Sequence, residues 1–191
     1  MKTNTCIVAY NDVDTKTIYM GGDSAGVAGY RLNVRKDTKV FKNDTTLMGY
    51  TSSFRMSQLL RFKFVVPEQS AKVTDDYEYM VTAFVDAVKE CFKANGYGKQ
   101  EASKDSEGGV FLVGYKGNLY IIEEDFQVGM AFEPFMACGC GERIAMGALY
   151  AIQETLAGEV RGEDKVRIAL QAAEAYSAGV RGPFRVVSMK Y

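Results

Sequence analysis

Thr5, Asp23 and Lys39 are the residues of this chain whose types can do covalent chemistry together. A threonine hydroxyl is a weak nucleophile near neutral pH and needs a base close by to take its proton. Its own α-amino group, with a pKa of about 7.7 to 8.0, can serve where the threonine is a chain terminus. An ammonium aimed at the hydroxyl oxygen lowers the cost of deprotonation, which suits Lys39, and a carboxylate such as Asp23 holds that ammonium in place. Backbone N–H groups from a glycine-containing turn near Gly49 would stabilise the oxyanion formed on a carbonyl substrate. Singly, each residue has a structural explanation: threonine is common in strands, an aspartate after two glycines suits a turn, and a strand lysine is usually solvated. Their order and joint spacing point to chemistry instead. Met1, Lys2, Thr3 and Asn4 precede Thr5, so a terminal-amine mechanism requires their removal.

The chain has no histidine, which excludes Ser-His-Asp and Cys-His catalysis, imidazole metal sites and histidine general bases. Cys6, Cys91, Cys138 and Cys140 lack zinc-ligand spacing and read as reduced thiols, and no metal or other cofactor is expected. A composition of 47% hydrophobic and 25% charged residues with a net charge of -1 gives no pull toward nucleic acid or anionic membrane. Apolar runs fall far short of the roughly 20 residues that span a bilayer, and a cytoplasmic location is the default expectation. A length of 191 residues fits one domain over 5–191, behind a short N-terminal extension or propeptide at 1–4.

The elements that must position the three residues begin with strand patterns at 5–11 and 17–22, joined by a polar hairpin turn. Asp23 ends the second of these. Small residues at 24–29 predict a loop lining a cleft, and 39–42 with 45–50 predict another strand pair that carries Lys39 and Gly49. Helices are predicted over 53–65, stopped by Pro67, and over 75–95, where Tyr77, Met80, Val81, Phe84, Val88 and Cys91 form an apolar stripe. A polar stretch at 97–108 predicts an exposed loop, followed by a hairpin of 110–115 and 118–123 turned by Lys116-Gly117. A strand at 135–140, helices through Ala157 and over 163–178, and a closing strand at 184–189 complete the chain. Hairpins alternating with helix pairs do not suit a doubly wound parallel sheet. They suit an α+β, four-layer αββα sandwich, two stacked antiparallel sheets with a helix pair outside each.

Thr5-Cys6-Ile7-Val8, Gly22-Asp23-Ser24 and Asn33-Val34-Arg35-Lys36 leading to Lys39-Val40 resemble proteasome β subunits, and most of all the bacterial HslV-type peptidase. Gly49-Tyr50-Thr51-Ser52-Ser53 is similar to that family's strand-to-helix turn, and Gly139-Cys140-Gly141 to its Gly-Ser-Gly turn. The resemblance covers nearly the full length, weakly over 67–107. It implies an N-terminal-nucleophile (Ntn) hydrolase fold and a threonine-type endopeptidase subunit that assembles into a homo-oligomeric ring and cleaves peptides or unfolded protein. It further implies Thr5 as nucleophile, Asp23 and Lys39 as its charge partners and Gly49 as an oxyanion-hole donor. Cys140 stands where the family commonly has a serine that orients the threonine amine, and Asn4 stands where self-processing members commonly have glycine. A catalytically silent ring or scaffold subunit with an unprocessed N-terminus is the alternative, and a small-molecule amidase a third. No G-x-x-x-x-G-K nucleotide loop occurs, so an ATP-driven unfoldase would be a separate protein. Cys6 is set aside as nucleophile, because the two-residue strand period turns it to the face opposite Thr5.

Overall fold

The computed structural model describes residues 5–97, 108–156 and 158–191. β1 (Cys6–Asp12) shows how the layers arise. Its residues alternate, with Ile7 and Ala9 facing the space between two sheets and Cys6, Val8 and Tyr10 facing a helix layer. Every one of these five is buried, so β1 is covered on both faces and sits at the centre of the molecule.

The first sheet has the order β10-β1-β2-β11, all antiparallel, with β2 spanning Thr17–Gly22, β10 Phe135–Gly139 and β11 Arg185–Lys190. The second has the order β5-β6-β7-β8-β9, built from Val40–Asn43, Thr46–Tyr50, Phe111–Tyr115, Asn118–Ile122 and Val128–Met130. Left-handed residues close its tight turns: Asp44 between β5 and β6, and Lys116 with Gly117 between β7 and β8. Ile18, Met20, Val40, Leu47, Leu112 and Leu119 join Ile7 and Ala9 in the apolar layer between the sheets.

Outside the second sheet lie α1 (Phe54–Phe62) and a longer helical run of α2 (Asp76–Tyr79), a π turn (Met80–Phe84) and α3 (Val85–Ala94). The Ser53 hydroxyl caps α1 by accepting the Met56 N–H at 3.3 Å, and Asp75 caps α2 through the Tyr77 N–H at 2.8 Å. Leu59, Leu60, Phe64, Met80, Phe84, Val88 and Phe92 pack on Met48, Phe111 and Val113. Outside the first sheet lie α4 (Glu142–Leu156) and α5 (Gly162–Tyr176), with Ala145, Leu149, Val166, Ala169, Leu170 and Ala173 on the sheet side. The layers are therefore αββα.

Three sequence expectations need correction. The stretch 24–29, predicted as a loop, forms β3 (Ala25–Ala28), which pairs with β4 (Arg31–Val34) as a separate two-stranded ribbon. Its small residues allow a turn but also tolerate a ribbon, and cross-strand pairing decided between the two. β9 was not expected, because three residues are too few to show alternation. The stripe over 75–95 is also offset: Tyr77 and Val81 are exposed while Tyr79, Val85 and Phe92 are buried, since the π turn inserts a residue and rotates the helix face. The expectations for 1–4, for most of the polar loop and for the helix end at Ala157 fall outside the described residues.

Candidate active site

Thr5 lies one residue ahead of β1, Asp23 one residue beyond β2, and Lys39 one residue ahead of β5. Antiparallel pairing of β1 with β2 places Ile7 opposite Gly22, so the start of one strand and the finish of the other lie at the same end of the sheet. β5 of the second sheet faces that end. All three side chains are buried, at 1%, 2% and 1% exposure, which makes their mutual pairing an energetic requirement.

The Lys39 Nζ donates to Thr5 Oγ1 at 2.9 Å and to Asp23 Oδ1 at 2.8 Å. Asp23 is held from other directions by backbone donors. The Cys6 N–H reaches Oδ1 at 3.0 Å, the Ala25 N–H reaches Oδ2 at 2.9 Å and the Arg181 N–H reaches Oδ2 at 3.3 Å. Burial lowers the Lys39 pKa from its ordinary value, and the Asp23 carboxylate opposes the shift. The result is an ammonium at hydrogen-bond distance from a hydroxyl oxygen, with little water to compete. That arrangement stabilises an alkoxide on Thr5.

Cys140 follows the last pair of the β1 and β10 ladder, Cys6 with Gly139. Gly139 has φ of +98°, and a β-carbon there would overlap the Thr5 carbonyl. This turn brings β10 against Thr5. Cys140 is exposed, and its sulfur accepts the Ser177 hydroxyl at 3.5 Å. Thr51 is buried beside the same turn, its Oγ1 3.5 Å from where that β-carbon would sit.

Gly49 is placed differently from the expectation. It lies inside β6, opposite Val40 on one side and Leu112 on the other. The Tyr50 N–H donates to Lys39 O at 3.1 Å and the Thr51 N–H to Val110 O at 3.0 Å, so strand alternation turns the Gly49 N–H toward β7. The glycine serves packing: a β-carbon would come within 2.5 Å of Ile7 Cγ2 and 2.8 Å of Met20 Sδ. The strand Gly49 belongs to ends beside the site, and the turn after it contains Ser52 at φ of +71°.

Cys6 faces the helix layer, where its β-carbon and sulfur approach Gly141. Burial and then the Asp23 charge push its thiol up, well away from a reactive thiolate. Arg181 and Ser177 carry no signal in the sequence, and Thr51 enters there only as part of the turn after Gly49. Arg181 contributes only its backbone, which carries no side-chain signal, and Ser177 and Thr51 depend on where Gly139 turns.

No protein-family model matches the chain, and neither does any curated protein sequence. Solved structures do match. BPH from Thiobacillus denitrificans in complex with epoxomicin superposes with a TM-score of 0.78 at 16% identity, over 97% of this chain and 98% of that one. BPH from the same organism without that ligand gives 0.75 at 16% identity, over 97% of each. HslV from Trypanosoma brucei gives 0.70 at 17% identity, over 98% of this chain and 100% of that one. The chain has the HslV fold. This is the Ntn-hydrolase architecture, matched from end to end. Within the HslV fold, the cluster of Thr5, Asp23 and Lys39 lies at the end of the sandwich where β1 begins and β2 finishes.

Proposed function

We propose that the chain is a subunit of a threonine-type endopeptidase that uses Thr5 as its nucleophile and works within a homo-oligomeric ring. The observation that carries this reading is the Lys39 ammonium set between Thr5 Oγ1 and Asp23 Oδ1, 2.9 and 2.8 Å away. After removal of Met1 to Asn4, the freed amine of Thr5 takes the hydroxyl proton while Lys39 stabilises the oxygen. The alkoxide attacks a peptide carbonyl, giving an acyl-enzyme ester and releasing the amine product once the threonine amine returns its proton. Water then hydrolyses the ester, with the same amine as base. The donor for the tetrahedral oxyanion comes from Ser52 in the turn after β6 rather than from Gly49 within the strand, since the Thr51 and Ser53 N–H groups already donate to Val110 O and Thr51 O. Four free thiols support work in the reducing cytosol. Any ATP-driven unfoldase is a separate protein.

Intact mass and a peptidase assay test the reading together. A mass lacking the first four residues, cleavage of a peptide panel and a covalent mass increase with epoxomicin are the expected results. The same panel left uncut by a chain that still carries Met1 would remove the proposal. One observation favours a second reading, a silent ring subunit: the Cys140 sulfur, a poor hydrogen-bond partner for an amine, is engaged by Ser177. Under that reading Thr5→Ala changes neither mass nor activity.

A further inference from the structure

Cys6 and Cys140 meet where β1 begins and β10 finishes. Cys6 pairs with Gly139 across the ladder, so the Cα of Cys140 lies one residue further along. Paired Cα atoms of an antiparallel ladder are about 4.5–5.5 Å apart and consecutive ones about 3.8 Å. Taken at right angles, the two steps put the Cα atoms of Cys6 and Cys140 roughly 6 to 7 Å apart, near the upper end of the span of about 4.4–6.8 Å that a disulfide bridges.

In a regular ladder Cys140 would face away from Cys6, because neighbouring residues take opposite faces. Gly139 breaks that alternation with its φ of +98°. The last turn of α5 shows where the two sulfurs go. A β-carbon on Gly141 would meet the Cβ and Sγ of Cys6 and the Cβ of Ala173, each at 2.9 Å, so the Cys6 side chain lies beside Ala173. Ser177 sits one helical turn on, its N–H donating to the Ala173 carbonyl at 2.9 Å, and its hydroxyl donates to the Cys140 sulfur at 3.5 Å. Both sulfurs therefore lie at the end of the same helix. After burial and Asp23, the Cys140 charge is the next cause that raises the Cys6 thiol, as neighbouring sulfurs require.

The two thiols differ in what can reach them. Cys140 is exposed and meets oxidants from solvent, whereas Cys6 is buried and kept protonated, so it reacts only with a partner brought to it.

We propose that Cys140 is a site of oxidation by hydroperoxides and that Cys6 resolves the product to a Cys6–Cys140 disulfide. In the first step the Cys140 sulfur takes the outer oxygen of the peroxide as a hydroxyl. The O–O bond breaks, the thiol proton completes the alcohol or water that leaves, and Cys140 becomes a sulfenic acid while the peroxide is reduced. In the second the Cys6 sulfur attacks the sulfenic sulfur, the S–O bond breaks, and the hydroxide leaves with the Cys6 proton as water. The bridge draws Cys140 toward the helix layer and ties Cys6, whose N–H holds Asp23 Oδ1 at 3.0 Å, to the turn that abuts Thr5. Its effect on cutting rests on the peptidase reading; its formation does not. Reversible disulfides of this kind serve as redox sensors in the cytosol.

Mass spectrometry of the full chain tests it. Protein freed of reductant is treated with a small excess of hydrogen peroxide, its remaining thiols are alkylated, and it is weighed intact and after proteolysis. The expected results are a loss of two hydrogens, a peptide pair joined through Cys6 and Cys140, and complete reversal by dithiothreitol. Peptidase activity should fall by roughly fivefold, as for one lost hydrogen bond, and return with the reductant. Cys138→Ala should bridge as the wild type does, and Cys6→Ala should instead let Cys140 gain oxygen that dithiothreitol does not fully remove. Oxygen added to Cys140 of the wild type with Cys6 still open to alkylation after unfolding overturns the proposal, and so does a bridge from Cys6 to Cys138. A bridge in a chain that cuts no peptide supports the oxidation site while the peptidase reading falls.

Discussion

Gly139 presses its Cα against the carbonyl of Thr5, in a backbone conformation with φ of +98° that side chains rarely adopt. Any β-carbon at 139 must push Thr5 out of line with Lys39. Gly139→Ala is expected to cost about 1–3 kcal/mol in backbone strain alone. Chemical denaturation measures that loss, and peptidase activity should fall by more than the lost folded fraction explains.

Lys39 and Asp23 are a buried pair whose removal is asymmetric. Lys39→Met leaves Asp23 with three backbone N–H donors but no counter-charge, whereas Asp23→Asn leaves Lys39 as a buried cation beside a hydroxyl. Breaking such a pair costs about 3–5 kcal/mol. Lys39→Met is expected at the lower end of that range and Asp23→Asn at the upper end. Equal destabilisation of the two in denaturant titrations would show that the backbone donors contribute little.

Cys140→Ser exchanges a thiol for a hydroxyl at the position one step past the end of the β1 and β10 ladder. A hydroxyl is the better partner for the Thr5 amine. In a processed enzyme the change should raise kcat by roughly fivefold, the equivalent of about 1 kcal/mol for one improved hydrogen bond. Unchanged kcat in the serine variant would assign Cys140 to the Ser177 contact alone.

Alkaline pH should unfold the protein cooperatively. Burial pushes Tyr50 and Tyr120 up to about 12 from an ordinary 10.0, so above pH 10 the unfolded chain releases protons that the folded one keeps. Fewer protons bound by the unfolded state means stability falls as pH rises from about 10 to 12. Tyr79, Cys6 and Cys138 shift in the same direction through burial. Lys39, lowered by burial, acts with the opposite sign and gains stability as pH approaches its ordinary 10.5. Cys91 and Tyr97 are raised by burial as well, so the raised groups outweigh Lys39. Circular dichroism with tyrosinate absorbance across that window checks it, and Tyr120→Phe should move the midpoint upward.

Alternation and chain order made the strands carrying Thr5, Asp23 and Lys39 legible, because each flanks a run of buried β-branched or aromatic residues. The αββα layering followed from hairpins set between helix pairs. What stayed hidden depended on events at a distance. The Gly49 N–H is turned to β7 by the register of Tyr50 and Thr51, and no local pattern reveals that register. The π turn at Met80–Phe84 likewise shows only as a shifted face, with Tyr79 inside and Val81 outside. The ribbon of β3 and β4 needed Ala25 paired with Val34, a relation between two stretches of which the first looks like loop by itself.

Asp23 accepts hydrogen bonds from the opening of β1, from the opening of β3, from Arg181 near the far end of the chain, and from Lys39 of the other sheet. Four pieces of polypeptide, the farthest 158 positions from Asp23, converge on one carboxylate. A half-folded molecule therefore has no assembled centre. The cluster of Thr5, Asp23 and Lys39 can form only once both halves of the sandwich have closed.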